Sequence, residues 1–385
     1  MTNQHDTQSS AKPATTKRGF SMKKPLMIAI ASLTLSAVAL PAAATTWWDA
    51  TPSISIGSTT INVKNKGALG NGTHNDTAAF QAAVNALPSS GGTVYVPAGR
   101  YMIDATKSIH LRSHTRLRLD PSAELVVIPN SASRYFLVRA SNVNNVEIVG
   151  GKMTGDRAKH MGSTGEWGFG IYVTGSSKVF VHNVTVSEFW GDGLFVGGNG
   201  KYSNLVRSNY VTINNVTSSH NRRQGISIGP SQHVYIVNST FKNTQGTLPQ
   251  AGMDIEPQDQ GPVDTVRIEN NTFSGNRGNG IELHTNISGI TITGNTLSGN
   301  YGFGSLAINA AGLTIASNYA TRNGLAGVGM SSKTHNSAIR NNKLQYNSTR
   351  YLSPTRAGGA DSRDIQVGSK TYSITVSGNQ LTPNN

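Results

Sequence analysis

The chain has no cysteine among its 385 residues. That excludes disulfides and any metal site built on thiolates. It is also short of apolar residues, at 36%, while holding 42 glycines. A compact α/β enzyme of this length is normally richer in aliphatics and poorer in glycine. Acids are scarce as well: 19 Asp and Glu stand against 33 Lys and Arg, a net charge of +14. No basic run is interleaved with aromatics, which argues against nucleic acid as the partner. A long apolar run is missing everywhere except near the start. There Lys23-Lys24 precede an apolar stretch from Pro25 to Leu40, and Pro41-Ala42-Ala43-Ala44 offers an A-x-A cleavage site.

Charge, length and small-residue exit make residues 1–44 an expected secretory signal rather than a membrane anchor. Thr16-Lys17-Arg18-Gly19-Phe20 is similar to a twin-arginine signal with Lys in the first Arg place. Removal of 1–44 takes away five Lys/Arg and Asp6, leaving 28 minus 18, or +10, for residues 45–385. The expected protein is therefore secreted or periplasmic, a single domain over 45–385 with no membrane span. Its basic balance suits an acidic polysaccharide as partner.

What the sequence does have is repetition. Six segments begin with glycine and continue as a short strand: Gly170-Ile171-Tyr172-Val173-Thr174, then Gly193–Gly197, Gly225–Gly229, Gly252–Glu256, Gly280–His284 and Gly304–Ile308. The leading glycines are 23, 32, 27, 28 and 24 residues apart. A period in this range signals a solenoid. A second strand alternates in each repeat, as in Val179-Phe180-Val181, Val211-Thr212-Ile213 and Val266-Arg267-Ile268. Asparagines follow in two registers, Asn183, Asn215, Asn238 and Asn270, then Asn271, Asn295, Asn318 and Asn342. These read as turn ladders.

Before the repeats stands one helical segment, Thr77 to Leu87, with Phe80, Ala83, Val84 and Leu87 on one face, Asn75 or Asp76 as its cap and Pro88 closing it. The run GALGNGTHNDTAAFQAAVNALPSSGGTVYVPAGRY resembles the opening signature of the pectate-lyase-like (pectin-lyase-fold) superfamily. It departs from that signature at Asn71. The resemblance implies an all-β fold: a right-handed parallel β-helix whose N-terminal end the helix caps.

Alignment on the glycines sorts the side chains. First and third positions point inward. The second-position column, pointing outward, reads Tyr172, Phe195, Ser227, Asp254, Glu282, and the fourth reads Thr174, Gly197, Gly229, Glu256, His284. The residues before each glycine include Asp192 and Gln224. Stacked coils place like positions about 4.8 Å apart, so Glu282 is expected directly over Asp254. Carboxylates that close cannot both ionise easily, which is the acid-plus-base arrangement used on glycosidic bonds. The expected catalytic set is Asp254, Glu256, Glu282 and Asp192. The expected substrate-binding set is Arg222, Arg223, Gln224, Tyr172, Trp190 and His284. The competing reading of the acids is a solvated sheet face. The loops Gly155–Trp167 and Gly198–Tyr210 are expected to build walls.

The stretch Arg222-Arg223-Gln224-Gly225-Ile226-Ser227-Ile228-Gly229-Pro230 resembles the polygalacturonase strand GHGISIGS. Here Gln224 stands in the His place and Asp254-Ile255-Glu256 in the place of an RIK triplet. That family's activity is therefore not carried over. Hydrolysis without a cofactor is the leading expectation. Alternatives are β-elimination or uronate epimerisation, for which the acids would hold Ca²⁺, and glycan binding without catalysis.

Overall fold

Each leading glycine sits where the next coil presses on it. A Cβ at Gly225 would lie 2.4 Å from the carbonyl oxygen of Gly252, one at Gly280 2.4 Å from that of Gly304, and one at Gly304 2.5 Å from that of Gly327. Close approach of stacked backbones, rather than an unusual φ, makes the glycine recur. The computed structural model describes residues 46–350 and 363–382. The signal expected at 1–44 lies outside the described residues.

The described chain winds into a solenoid of three parallel sheets, with twelve, twelve and ten strands. The ten-stranded sheet holds all six glycine-led segments, as consecutive neighbours from Trp167–Thr174 through Asp192–Gly197, Gln224–Ile228, Met253–Ile255 and Ile281–Leu283 to Ser305–Ile308. The expected register holds: Tyr172 pairs Phe195, Phe195 pairs Ser227, Ser227 pairs Asp254, and Asp254 pairs Glu282. The alternating second strands form one twelve-stranded sheet, Val179 over Val211, Val234, Val266 and Ile290. The other twelve-stranded sheet is built mostly of three-residue strands such as Thr185–Ser187 and Thr272–Ser274, a strand of each coil that alternation did not reveal. Inward residues from all three sheets, Val186, Ile228 and Ile268 among them, share one continuous core.

The asparagines divide by role. Asn183, Asn215, Asn238 and Asn270 have φ between 50° and 54°, left-handed positions that Asn tolerates. Asn271, Asn295, Asn318 and Asn342 are buried. In that ladder Asn271 Nδ2 donates to Asn295 Oδ1 and Asn295 Nδ2 to Asn318 Oδ1, each at 3.0 Å. A parallel ladder through Asn276, Asn300, Asn323 and Asn347 does the same at the neighbouring corner.

The helix runs Thr77–Asn85 and buries Phe80, Ala83 and Val84. Asn75 Oδ1 accepts from the Thr77 amide at 3.2 Å, while the Asp76 carboxylate turns back to the Leu69 and Gly70 amides. The lead-in carrying Trp47 and Trp48 lies along the outside of a twelve-stranded sheet. Arg267 stacks on Trp48 at 4.7 Å, Asn214 Nδ2 donates to the Ala50 carbonyl, and the Ser55 carbonyl meets His114. Among the described residues no helix is long and apolar enough to cross a membrane.

Candidate active site

The outward face of the ten-stranded sheet is not uniformly solvated. Asp192 is 0% exposed and Asp254 1%, which overturns the reading of these two acids as a solvated face. The loop ending at Glu166 and Trp167 and the segment Pro257–Gln260 help wall a cleft of about 310 Å³ above them. Arg134, Phe169, Phe195, Arg223, Ser227 and Glu256 complete much of its lining.

The strand Gln224–Ile228, between the two acids, anchors both. Ser227 Oγ donates to Asp192 Oδ2 at 2.7 Å, and Gln224 Nε2 donates to Asp254 Oδ2 at 2.7 Å. In each carboxyl the second oxygen, Oδ1, is buried without a hydrogen bond. Burial pushes Asp192 up to about 6, against the opposing pull of Arg223 and Ser227. Burial, with Glu256 and Glu282 adding to it, raises Asp254 well above the carboxylate range, and His284 and Arg223 oppose this only in part. An uncompensated charge in such a place is costly, so the proton stays.

Arg223 is the hub. Its Nη1 lies 3.2 Å from Asp192 Oδ2, its Nη2 3.7 Å from Glu256 Oε2 and its Nε 3.7 Å from Glu166 Oε2. Burial acts to lower its pKa, and Asp192, Asp254, Glu166 and Glu256 together raise it instead. His284 Nε2 stands between Glu282 Oε1 at 3.2 Å and Asp254 Oδ1 at 3.4 Å. The Glu282 contact raises its pKa, burial acts against this, and Asp254 adds to the rise. Glu282 is held by Asn279 Nδ2 at 2.8 Å. Ligand atoms of Asp254, Glu256 and His284 lie within 4.8 Å of one another. Two carboxylates and an imidazole are a mixed oxygen and nitrogen donor set of the kind that holds a divalent transition metal.

The structure thus brings together Asp192, Asp254, Glu256, Glu282, Arg223, Gln224 and His284. It leaves three expected residues apart. Arg222 turns away, stacking on Trp190 at 3.9 Å and donating to the Gly165 carbonyl at 3.0 Å. Trp190 is held from its ring nitrogen by the same carbonyl and stacks with His160 at 4.1 Å. The His160–Trp190–Arg222 pile positions the cleft-wall loop instead of lining the cleft. Tyr172 joins an aromatic pile, 4.3 Å from Phe136 and 5.0 Å from Phe195, in which Phe169 and Phe195 face the cleft. Of the second expected wall, Arg207 pairs with Asp264 away from the cleft.

Glycine alignment missed Arg134. It lies on the strand Arg134–Ser141, opposite Trp167, and its coil has no leading glycine. Arg134 is exposed, stacks over Trp167 at 4.9 Å and has no ion pair among the described residues. It is the cleft cation whose charge is not already balanced.

The family described as "Right handed beta helix region" matches residues 109–256 and 250–385. "Rhamnogalacturonase A/epimerase, pectate lyase-like" matches residues 60–133. An uncharacterised protein of Bacillus subtilis (strain 168), YclG, is 31% identical over 260 residues, 60% of this chain and 44% of that protein. The chain therefore matches less than half the length of that relative. The A-module of mannuronan C-5 epimerase AlgE6 from Azotobacter vinelandii superposes with a TM-score of 0.66 at 19% identity, covering 84% of this chain and 100% of the module. PfbA, a surface protein and adhesin of Streptococcus pneumoniae, superposes at 0.62 with 17% identity, covering 85% and 98%. At such identities the likeness concerns the fold.

Proposed function

Because the chain belongs to the right-handed β-helix family, we propose that it is an exported enzyme that cleaves an acidic polysaccharide in this cleft, by hydrolysis. One observation carries the reading: Asp192 and Asp254 are buried carboxyls opening into one cleft, each anchored through Oδ2 and without a hydrogen bond at Oδ1, where Asp254 has only the His284 contact at 3.4 Å. Orphan buried oxygens cost stability, and active sites are where such costs persist.

Asp254, kept protonated, donates its proton to the glycosidic oxygen. Asp192 ionises near 6 and takes the proton of the attacking water. Their strands flank Gln224–Ile228 on opposite sides, and a side chain of that strand holds each carboxyl at the cleft, Ser227 on Asp192 and Gln224 on Asp254. Glu256 and Glu282 hold Asp254 protonated, and Arg134 receives the substrate carboxylate. Export is supported by the apolar run and small-residue exit before Thr45. We also assign to the helix Thr77–Asn85 the covering of the first coil, since its apolar face is buried, with Phe80 against Tyr101 of the strand Gly99–Ile103.

The donor set Asp254, Glu256 and His284 favours a second reading, elimination or epimerisation of a uronate. A bound divalent cation would supply charge neutralisation for the substrate carboxylate there. A panel of acidic polymers separates these. New reducing ends without ultraviolet absorbance support hydrolysis. Absorbance from an unsaturated uronate supports elimination, and altered sugar stereochemistry by NMR without cleavage supports epimerisation. Binding with no chemical change would make the protein a glycan-binding one. Turnover that survives in D254N sinks the assignment of the acid in every catalytic version.

A further inference from the structure

At the corner where the chain enters the ten-stranded sheet, successive coils present Arg277, Tyr301 and Gly324 in one column. The Tyr301 amide donates to the Asn276 carbonyl and the Gly324 amide to the Asn300 carbonyl, both at 2.8 Å. Arg350, one coil further on, bonds through its amide to the Gly324 carbonyl at 3.1 Å. Gly324 has no side chain, and the Arg350 stem runs through that gap: a Cβ at Gly324 would lie 2.7 Å from Arg350 Cδ. Arg350 thereby reaches Tyr301, with its guanidinium carbon 4.0 Å from the ring centre. The guanidinium carbon of Arg277 lies 4.1 Å from the same centre.

Two cations thus share one tyrosine, and among the described residues neither has an acidic partner or a side-chain hydrogen bond. Both arginines are exposed, and Tyr301 is 41% exposed with its hydroxyl unbonded among those residues. Stacking holds the guanidinium planes and leaves their N–H edges free for a carboxylate or sulfate, which a guanidinium grips with two parallel bonds. Like charges gathered on one ring without a counter-charge are stabilised by an anion. The place suits a polymer too. Arg277 stands on the same coil as Glu282, on the turn that leads into the site strands.

We propose that Arg277, Tyr301 and Arg350 form an auxiliary binding site for an anionic saccharide unit, outside the cleft. The proposal rests on the acidic-polymer reading above for the kind of polymer, and not for any chemistry at Asp254. The site takes one acidic sugar of a chain whose neighbouring units run toward His284, and it raises affinity without entering the reaction.

The test is affinity electrophoresis of the full chain through gels containing polygalacturonate, alginate or chondroitin sulfate. R277Q/R350Q is compared with K333Q/K370Q, which removes two exposed charges elsewhere. The expected result is an affinity loss of about tenfold or more for R277Q/R350Q, a similar loss for Y301A, and little change for the lysine control. D254N retains binding, which separates this site from the cleft assignment. Thermal unfolding of each variant reports whether it is folded. Three outcomes overturn the proposal: equal losses in the two double variants, wild-type retention by R277Q/R350Q, or no retardation of the unaltered chain by any of the three polymers.

Discussion

Asp192 and Asp254 are two outward-pointing acids that the surrounding loops have taken out of water. For Asp192 the folded pKa, about 6, lies above the usual 3.8. Folding thus favours the protonated form. Its stabilising contribution is full below about pH 4 and is lost as pH rises through about 6, a difference of about 3 kcal/mol. D192N lacks this dependence. Denaturant unfolding at pH 4 and pH 7 is expected to show the wild type losing more stability than the variant over that interval. A variant with the same pH slope as the wild type contradicts the burial argument. D254N removes the proton donor while keeping shape, so turnover on a digestible polymer is expected to fall about 10²- to 10⁴-fold with no loss in melting temperature. Wild-type-like rates would place the acid elsewhere. The acids themselves were legible in the sequence, because the glycine register stacks Asp254 and Glu282. Their burial was not, since the cleft around them is walled in part by Glu166 and Pro257, residues outside the strands of the repeat.

The elements are stabilised by side-chain amides as well as by apolar packing. Asn295 accepts from the Asn271 amide and side chain and donates to the Ile268 carbonyl at 2.9 Å. N295A strands these groups in the interior, and a loss of about 2–3 kcal/mol is expected in equilibrium unfolding. A loss near zero would mean the ladder is ornamental. The helix carries a different kind of contact. Phe80 is 0% exposed and packs edge-on against Tyr101 at 5.3 Å, so F80A is expected to cost about 3–5 kcal/mol in the same measurement. Long alternating strands were readable because period two needs only a few residues to show. The three-residue strands were not, because most bury a single side chain, such as Val186 or Phe273, and one residue has no period.

At the scale of the molecule, residues 45–385 carry a net charge of +10, while the cleft is rich in carboxyls. Under the proposed reading, long-range attraction of a polyanion and close-range chemistry on it fall to different surfaces. Binding of polygalacturonate is expected to weaken steeply as salt rises from about 0.01 to about 0.1 M, where the screening length shortens from about 30 to about 10 Å. Salt-independent retention would argue that the basic surface plays no part. Arg222 and Trp190 illustrate the reach of sequence reasoning at this scale. Their positions in the coil were evident, yet their direction follows from His160 and Gly165, on another coil's loop.

The repeat alone determined the coil, its register and the column that stacks Asp254 with Glu282, because each step of a parallel stack is a local rule: glycine where backbones touch, an apolar residue inward, asparagine at the corner. Folding of the whole decided which outward side chains are dry, which arginine is already balanced and which remains free. Those properties depend on desolvation and charge summed over loops distant in sequence, and no local rule contains that sum.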